Sequence, residues 1–428
     1  MREIGIGILG CGVVGSGTVR VLTDNADEIS RRVGARLVVK RVAVQDLKKP
    51  RPVALAPGVL TDNPDDVLND PEIQIVAELI GGVHPAHDYL LRAIQSGKSV
   101  VTANKELMAK QGHDLMLAAS AAKRDFFLEG SVAGGIPILA AMKESLAGNK
   151  VRELMGIVNG TTNYILTRMT DEGAEFSATL KAAQELGYAE ADPTSDVDGF
   201  DAQYKLAILA SIAFNTTLNA SDIAAQGIRQ ISARDIAVAK ALGYRIKLVA
   251  KARDEGEGTI QAHVHPALLP ERHPLSSVSD VFNAVLVRGD AVGEVMFYGR
   301  GAGSLPTGSA VVGDLISCAR NLLAGATGRV GCTCYAERRV VPVSEVQSKF
   351  YIRLHALDRP KVLASIANVF GDFDVSIESV VQKALPAEEA EIVWVTHEAP
   401  EASVRGALDV ISRLPVVKAV HNWIRVEE

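Results

Sequence analysis

The sequence predicts an α/β protein: a parallel sheet covered on both faces, a mixed α/β region after it, and a C-terminal ferredoxin-like unit. Three observations carry that reading. The first half alternates short β-rich runs with helical stretches, the order that builds parallel sheets. A glycine-rich turn, Gly10-Cys11-Gly12-Val13-Val14-Gly15, separates the first apolar run from the first helical one. From Phe350 onward the segments fall in the order β-α-β-β-α-β, which is the ferredoxin-like order.

The elements follow in chain order. Ile4–Leu9 reads as a buried strand, followed by a helix from about Val13 to Arg32 and a valine-rich strand Arg36–Val44. Past a proline-punctuated loop, Ile73–Ile80 and Ser99–Ala103 are further strands, with a helix over Pro85–Ser96 between them. An alanine-rich helix over Glu106–Arg124 leads to a short strand, Phe126–Leu128. From Ser131 the character changes, because Val132-Ala133-Gly134-Gly135-Ile136-Pro137 interrupts any regular period. Helices over Ala202–Phe214 and Ala233–Leu242 and an apolar strand Lys247–Lys251 mark a second, mixed domain. A helical stretch around Ser309–Leu323 fits either domain. The tail reads as strand Phe350–Ala356, helix Pro360–Phe370, strands Val375–Gln382 and Glu391–Thr396, helix Glu401–Arg413 and strand Val416–Ile424. The expected boundaries are therefore 1–130 for a dinucleotide-binding domain, with 304–325 returning to it, and 131–303 for a substrate-binding and catalytic domain. A linker is expected over 326–349 and the tail over 350–428.

Composition sets the limits. A chain of 428 residues holds two to four domains at about 150 residues each. Apolar residues at 47% and charged residues at 22% exclude wholesale disorder. A formal charge of −6 and a pI near 5.9 leave no basic excess to neutralise phosphates, so nucleic acid is not an expected partner. Mean hydropathy is +0.14, yet no apolar run reaches the roughly 18 residues that span a bilayer. Four cysteines are too few for a disulfide scaffold. Cys332 and Cys334, with no second pair at zinc-finger spacing, read as free thiols in a reducing cytoplasm.

Gly10–Gly15 is a G-x-G-x-x-G turn in the context that gives it meaning, strand before and helix after. Gly10 permits the tight turn, Gly12 lets the backbone approach a pyrophosphate, and Gly15 lets helix and strand pack closely. With Val13 and Val14 at the helix N-terminus these residues form a Rossmann-like anion site. No small-residue cleavage site follows, which argues against a signal peptide. An NAD site wants a carboxylate at the end of the second strand. Here Asp46 lies slightly beyond it, among Arg41, Lys48, Lys49 and Arg51. That cluster suits a 2′-phosphate or is a solvated loop, so NADP is the expected cofactor and NAD the alternative.

Three further features carry chemistry. At helical spacing Ala202, Lys205, Leu209 and Ile212 share one stripe, which places a lysine on an otherwise apolar face. Asp198 is the expected N-cap of that helix, and Asp201 is one turn before Lys205. The pair reads either as a desolvated acid/base lysine with its partner or as an ordinary ion pair with a snorkelling stem. Upstream, Glu185, Glu190, Asp192 and Asp196 cluster around Gly187 and Pro193. They suit a substrate ammonium group, plain surface charge, or a metal. Lys105 follows Thr102-Ala103-Asn104 at the carboxyl end of a sheet strand, where open α/β sheets bind ligands.

These segments, together with Gly156-Ile-Val-Asn-Gly-Thr-Thr-Asn-Tyr-Ile-Leu166 and Gly299-Arg-Gly-Ala-Gly-Ser304, resemble homoserine dehydrogenase in its long bacterial form with a C-terminal ACT domain. They occur in family order over essentially the whole chain. The resemblance implies reversible oxidation of L-homoserine to L-aspartate 4-semialdehyde with NAD(P). It makes Lys205 the general acid/base, Asp201 its orienting partner, and Glu190 the ligand of the substrate amino group with Asp196 nearby. Lys105 would lie by the nicotinamide, with Gly187 and Gly303 lining the cofactor. A monovalent cation, normally sodium, falls on Glu129, Val132, Gly134 and Ile136, mostly through backbone carbonyls. The ACT tail implies a small amino-acid effector such as L-threonine and a homodimer or homotetramer. Its ligand loop, Leu357–Leu363, carries Lys361 where the family pattern has glycine. Two competing classes are a nucleotide-sensing regulator without turnover and a dehydrogenase of another semialdehyde. The first would lack the Asp201–Lys205 helix, and the second has no need of the Asn159–Tyr164 segment.

Overall fold

A computed structural model describes all residues, Met1–Glu428, and the chain divides into two units. The first comprises Met1–Leu154, Tyr204–Asp222 and Phe282–Arg338. Its sheet is made of β1 (Glu3–Leu9), β2 (Arg36–Ala43), β3 (Leu60–Thr61), β4 (Ile73–Glu78), β5 (Ser99–Thr102) and β6 (Phe126–Phe127). The order is β3-β2-β1-β4-β5-β6, every pairing parallel. β1 is buried along nearly its whole length, as expected of a strand covered on both faces.

The first helical stretch is two helices, Val13–Asp24 and Ala26–Val33, rather than the single one expected over Val13–Arg32. Asn25 leaves helical geometry, its N–H still satisfied by Val21 and Thr23 carbonyls, and Gly34 at φ +80° ends the second helix. The break turns Ile29 and Val33 into the core beside Ile4, Ile6 and Ile8. Helix Ser304–Ala324 joins the same core through Val311, Val312, Leu315 and Cys318. Two glycines make that packing possible. A Cβ on Gly17 would lie 2.0 Å from the Ser304 carbonyl oxygen, and one on Gly308 would lie 2.6 Å from the Gly17 carbonyl carbon. Strands Phe282–Gly289 and Gly293–Arg300 form an antiparallel hairpin in this unit.

The second unit comprises Met155–Gln203, Ile223–Val281 and Arg339–Glu428. Here the strand over Lys247–Lys251 extends to Tyr244–Gly256 and pairs antiparallel with Thr259–Pro270. The tail has the ferredoxin-like plan: strand Gln347–Leu357, helix Val362–Asp372, strands Ile377–Leu385 and Glu389–Thr396, helix Glu401–Ile411 and strand Val417–Val426. Its helices pack over Phe350, Ile352, Ile366, Phe370, Ile392, Trp394 and Ile411. The last strand also pairs in parallel with Thr259–Pro270 through Ala267↔Arg425 and Leu268↔Val426. The tail thus shares a sheet with the rest of its unit.

Buried charge reinforces that junction. Asp235 forms a capping box with Ser232 at the start of helix Ala233–Ala241. It also accepts from Arg353 Nε at 2.7 Å and Asn422 Nδ2 at 3.1 Å. Burial pushes its carboxyl up, but the hydrogen bonds from Arg353, Ser232 and Asn422 outweigh it and hold it below the ordinary aspartate value. Nearer the C-terminus, Glu427 accepts from Lys251 Nζ at 2.5 Å and pairs with His265 Nε2 at 3.1 Å. His263 stacks on His265 with ring centroids 4.3 Å apart. Burial and the nearby Arg425 push His265 down to about 4. Burial raises Glu427, but Lys251 and His265 overcome it and depress the carboxyl.

Lys361 adopts φ +75°, ψ −6° at the start of helix Val362–Asp372. This is the left-handed conformation for which glycine is suited and which costs an L-side chain about 1–2 kcal/mol. Lys361→Gly is expected to stabilise the second unit by about 1 kcal/mol, read as a rise in urea midpoint. The buried histidine makes a second expectation. With a folded value below its unfolded one, the unfolded chain binds more protons between about pH 6.5 and 4, so stability falls as pH drops through that window. Glu427 adds a loss of the same sign below the ordinary glutamate value. Urea midpoints measured from pH 7 to 4.5 should fall steeply, and His265→Gln should flatten the decline.

Candidate active site

The glycine turn is built as its sequence requires. Gly10 sits at φ +97°, and a Cβ there would meet the Leu79 carbonyl oxygen at 2.6 Å. A Cβ on Gly15 would meet the Gly10 carbonyl oxygen at 2.3 Å, whereas Gly12 faces open space. Gly10, Gly12 and Val13 line a cleft of about 680 Å³ that also takes in Asp46, Lys49 and Arg51. Val14 is half-buried against the core. Arg41 does not line this cleft; its guanidinium donates to the Lys40 carbonyl at 2.9 Å. The cations beside the turn are thus Lys49 and Arg51. Gly303, at φ +122°, precedes helix Ser304–Ala324, and Ser304 Oγ donates to the Val13 carbonyl at 2.8 Å.

Lys105 is the first residue of helix Lys105–Ala121. Its position is set by a buried relay. Glu78 Oε2 accepts from Thr102 Oγ1 at 2.7 Å, and Thr102 Oγ1 accepts from the Asn104 N–H at 3.0 Å. The Asn104 side chain then caps the helix through the Leu107 N–H and donates to the Gly82 carbonyl at 2.6 Å. A cation at a helix N-terminus opposes the helix dipole, so local stability does not account for Lys105.

In the second unit Asn159 caps helix Gly160–Glu172, its Oδ1 accepting from the Thr162 N–H at 2.8 Å. The other end of the same amide donates to Asp196 Oδ1 at 2.7 Å and Asp201 Oδ2 at 2.9 Å. The helix of Asp201 and Lys205 runs over Phe200–Ala213, and both side chains are buried, at 3% and 7% exposure. Asp198 is not its N-cap. Gly199, at φ +87°, intervenes, and Asp198 is the end residue of a short helix, Thr194–Val197, paired with Arg229 at 2.5 Å. Nor do the upstream acids stay together: Glu185, Glu190 and Asp192 are exposed, and only Asp196 meets Asp201. Gly187 is an exposed turn glycine at φ +74°.

Residues 10–129 match the homoserine dehydrogenase NAD-binding domain, 137–316 the homoserine dehydrogenase family proper, and 350–416 the ACT domain. The chain is 44% identical to the homoserine dehydrogenase of Bacillus subtilis over 429 residues, covering 100% of this chain and 99% of that protein. The chain belongs to the homoserine dehydrogenase family. The enzyme of Synechocystis is 46% identical, with 98% and 99% covered. A crystal structure of a homoserine dehydrogenase from Thiobacillus denitrificans matches with a TM-score of 0.94 at 46% identity, covering 100% and 99%. A hyperthermophilic archaeal homoserine dehydrogenase in complex with NADPH matches with a TM-score of 0.63 at 27% identity, covering 74% and 98%. Membership makes the chain an oxidoreductase with NAD-binding, catalytic and ACT domains.

Homoserine dehydrogenase resemblance also directs attention to the loop after β6. Glu129 is buried, its two oxygens accepting from the Leu139 and Ala140 N–H groups at 2.8 and 2.7 Å. Its own N–H donates to Asp314 Oδ2 at 2.9 Å. Burial pushes the Glu129 carboxyl up, and burial together with Glu129 pushes Asp314 well up. The carbonyls of Val132 and Gly134 lie in buried residues and accept no backbone hydrogen bond, while that of Ile136 accepts from the Ile138 N–H at 2.8 Å. Buried carbonyls beside two carboxyls are a donor set that fits a hard cation. Asp314 is not among the residues singled out from sequence, although it is the one acid in helix Ser304–Ala324 and sits among apolar and small residues.

Asn159 serves a cap and a carboxylate bridge together, so two substitutions separate the roles. Asn159→Ala is expected to destabilise by about 2–3 kcal/mol at all pH values. Asn159→Asp keeps the cap but sets a third carboxylate against Asp196 and Asp201. Its penalty should grow as pH rises through the carboxylate range, measured by chemical denaturation at pH 4.5 and 7.5.

Proposed function

We propose that this chain interconverts L-homoserine and L-aspartate 4-semialdehyde with NADP or NAD. The carrying observation is the buried Asp201–Lys205 helix, with Asp201 and Asp196 gathered by Asn159. A bound nicotinamide supplies or accepts the hydride. The protein has one proton to handle. In reduction the Lys205 ammonium donates it to the forming alkoxide, and in oxidation the neutral amine takes it from the hydroxyl. Asp201 orients that amine and the substrate. Asp196 and Glu190 attract the substrate ammonium, Glu190 from an exposed loop. Lys105 stands at the carboxyl edge of the sheet, where it meets the reacting end of the cofactor.

Gly10, Gly12 and Val13 line the cleft that would hold the pyrophosphate, Val14 and Gly15 complete the turn, and Lys49 and Arg51 would favour a 2′-phosphate; Gly187 and Gly303 are assigned to the cofactor by family resemblance. Glu129 and the carbonyls of Val132, Gly134 and Ile136 would hold a monovalent cation, sodium by preference, which would offset one negative charge of the Glu129–Asp314 pair. The domain reading is 1–130 with 304–325, 131–303, and 350–428 after a linker. Exposed Met296, Tyr298, Val380 and Val381 on strand faces support a homodimer or homotetramer. The ACT unit would take a threonine-like effector and provide feedback in the threonine, methionine and isoleucine branch of aspartate metabolism. No helix is long and apolar enough to cross a membrane, and free cysteines accord with a cytoplasmic setting.

Homoserine oxidation releases a proton, so rising pH favours that direction. Lys205→Ala should lose about 10²–10⁴-fold in kcat with cofactor affinity little changed, followed by nicotinamide absorbance with homoserine as substrate. Near-normal turnover in that variant sinks the assignment.

A further inference from the structure

His113, Cys332 and Cys334 converge in the first unit although 219 residues separate the histidine from the nearer cysteine. His113 lies on helix Lys105–Ala121, two turns beyond Lys105. Its Nδ1 is 3.9 Å from Cys332 Sγ, and the ligand atoms of all three residues lie within 4.8 Å of one another. Thr217 Oγ1 approaches the same Nδ1 at 3.2 Å, and the Cys334 N–H donates to Cys332 Sγ at 3.4 Å. All three side chains are half-buried, and both thiols are free.

We propose that His113, Cys332 and Cys334 form a binding site for one borderline-soft divalent cation, with zinc the preferred ion. Two sulfurs and one imidazole nitrogen are a ligand set zinc takes readily, leaving one open position. Metal–ligand distances of about 2.3 Å to sulfur and 2.0 Å to nitrogen in a tetrahedron place sulfur and nitrogen about 3.6 Å apart. The observed 3.9 Å closes to that with a small side-chain shift. His113, Thr217 and Cys334 also line a cavity of about 50 Å³, room for a water molecule as the fourth ligand.

An ion here would pin the segment after helix Ser304–Ala324 onto the helix that begins with Lys105. A dithiol redox pair has no need of the imidazole, which is why the cluster reads as a metal site.

The test is spectroscopic and independent of dehydrogenase turnover. The full chain, kept reduced with a phosphine and stripped with a chelator, is titrated with Co²⁺ and then Zn²⁺. The expected result is one equivalent of cobalt per chain with thiolate-to-metal charge-transfer absorption and tetrahedral d–d bands, displaced by zinc. Zinc should raise the melting temperature of the wild-type chain. His113→Gln should weaken binding by at least about tenfold, and the double variant C332S/C334S should abolish the bands and the melting shift. Circular dichroism checks that both variants fold. An octahedral, oxygen-type cobalt spectrum overturns the proposal, as does binding unchanged in the double variant. A Cys332–Cys334 disulfide forming in air, with no metal-dependent band under reduction, overturns it in favour of a redox pair.

Discussion

The amide of Asn159 has four hydrogen-bonding valences, and four groups on three neighbours claim them. Its oxygen takes the Thr162 N–H and hydroxyl, and its nitrogen gives one proton each to Asp196 and Asp201. Two carboxylates side by side would repel, and the shared donor offsets that repulsion between the buried Asp201 and the half-buried Asp196. Because the oxygen is also a helix cap, the carboxylates are referenced to the axis of Gly160–Glu172. Asp201 itself lies in the first turn of helix Phe200–Ala213. Loosening this one side chain would therefore disturb a cap and two acids together.

What could be read from the sequence follows from how local each cause is. The glycine turn was legible because its steric demands lie within Gly10–Gly15 and its neighbours. The ferredoxin-like order was legible because each element has its own apolar period. The break at Asn25 was not, since the apolar stripe runs through it and only the sheet beneath decides which way Ile29 and Val33 must turn. Asp198 carried the right chemistry for a cap, but Gly199 took the left-handed turn and Arg229, distant in sequence, took the carboxylate. The four acids near Gly187 looked like one cluster because they are close along the chain. Asn159 selects Asp196 alone from among them, and no spacing rule contains that choice. Arg41 is fixed within β2, whereas the loop after that strand carries Arg51 to the cleft.

The tail was expected as a separate body behind a linker, yet its last strand is hydrogen-bonded to Thr259–Pro270 and its Arg353 and Asn422 end on Asp235. Buried ion pairs of this kind add little stability over apolar packing, but breaking one partner is costly because a charge is left behind. Their effect is to fix one relative placement of the ferredoxin-like strands and helix Ala233–Ala241. A ligand bound by the tail would act on a sheet that it shares with its unit. Any shift of strand Val417–Val426 must be taken up by Thr259–Pro270 or by the Glu427 cluster.

Several residues sit where local physics disfavours them, and the disposition of their partners distinguishes the cases. Glu129 and Asp235 are buried acids, but both cap helices and so have a structural reason to be there. Lys361 holds a left-handed conformation with no compensating bond from its side chain among its contacts, and its cost is roughly a fifteenth to two-fifths of the stability of an ordinary domain of about 5–15 kcal/mol. Lys105 opposes a helix dipole after a three-residue relay has been built to put it there. Asp314 places a second acid against Glu129, beside a loop whose Val132 and Gly134 carbonyls accept no backbone hydrogen bond. Folding accounts for strain that is repaid locally; it accounts for Asp235, and not for Lys105 or for the second acid, Asp314, set against Glu129.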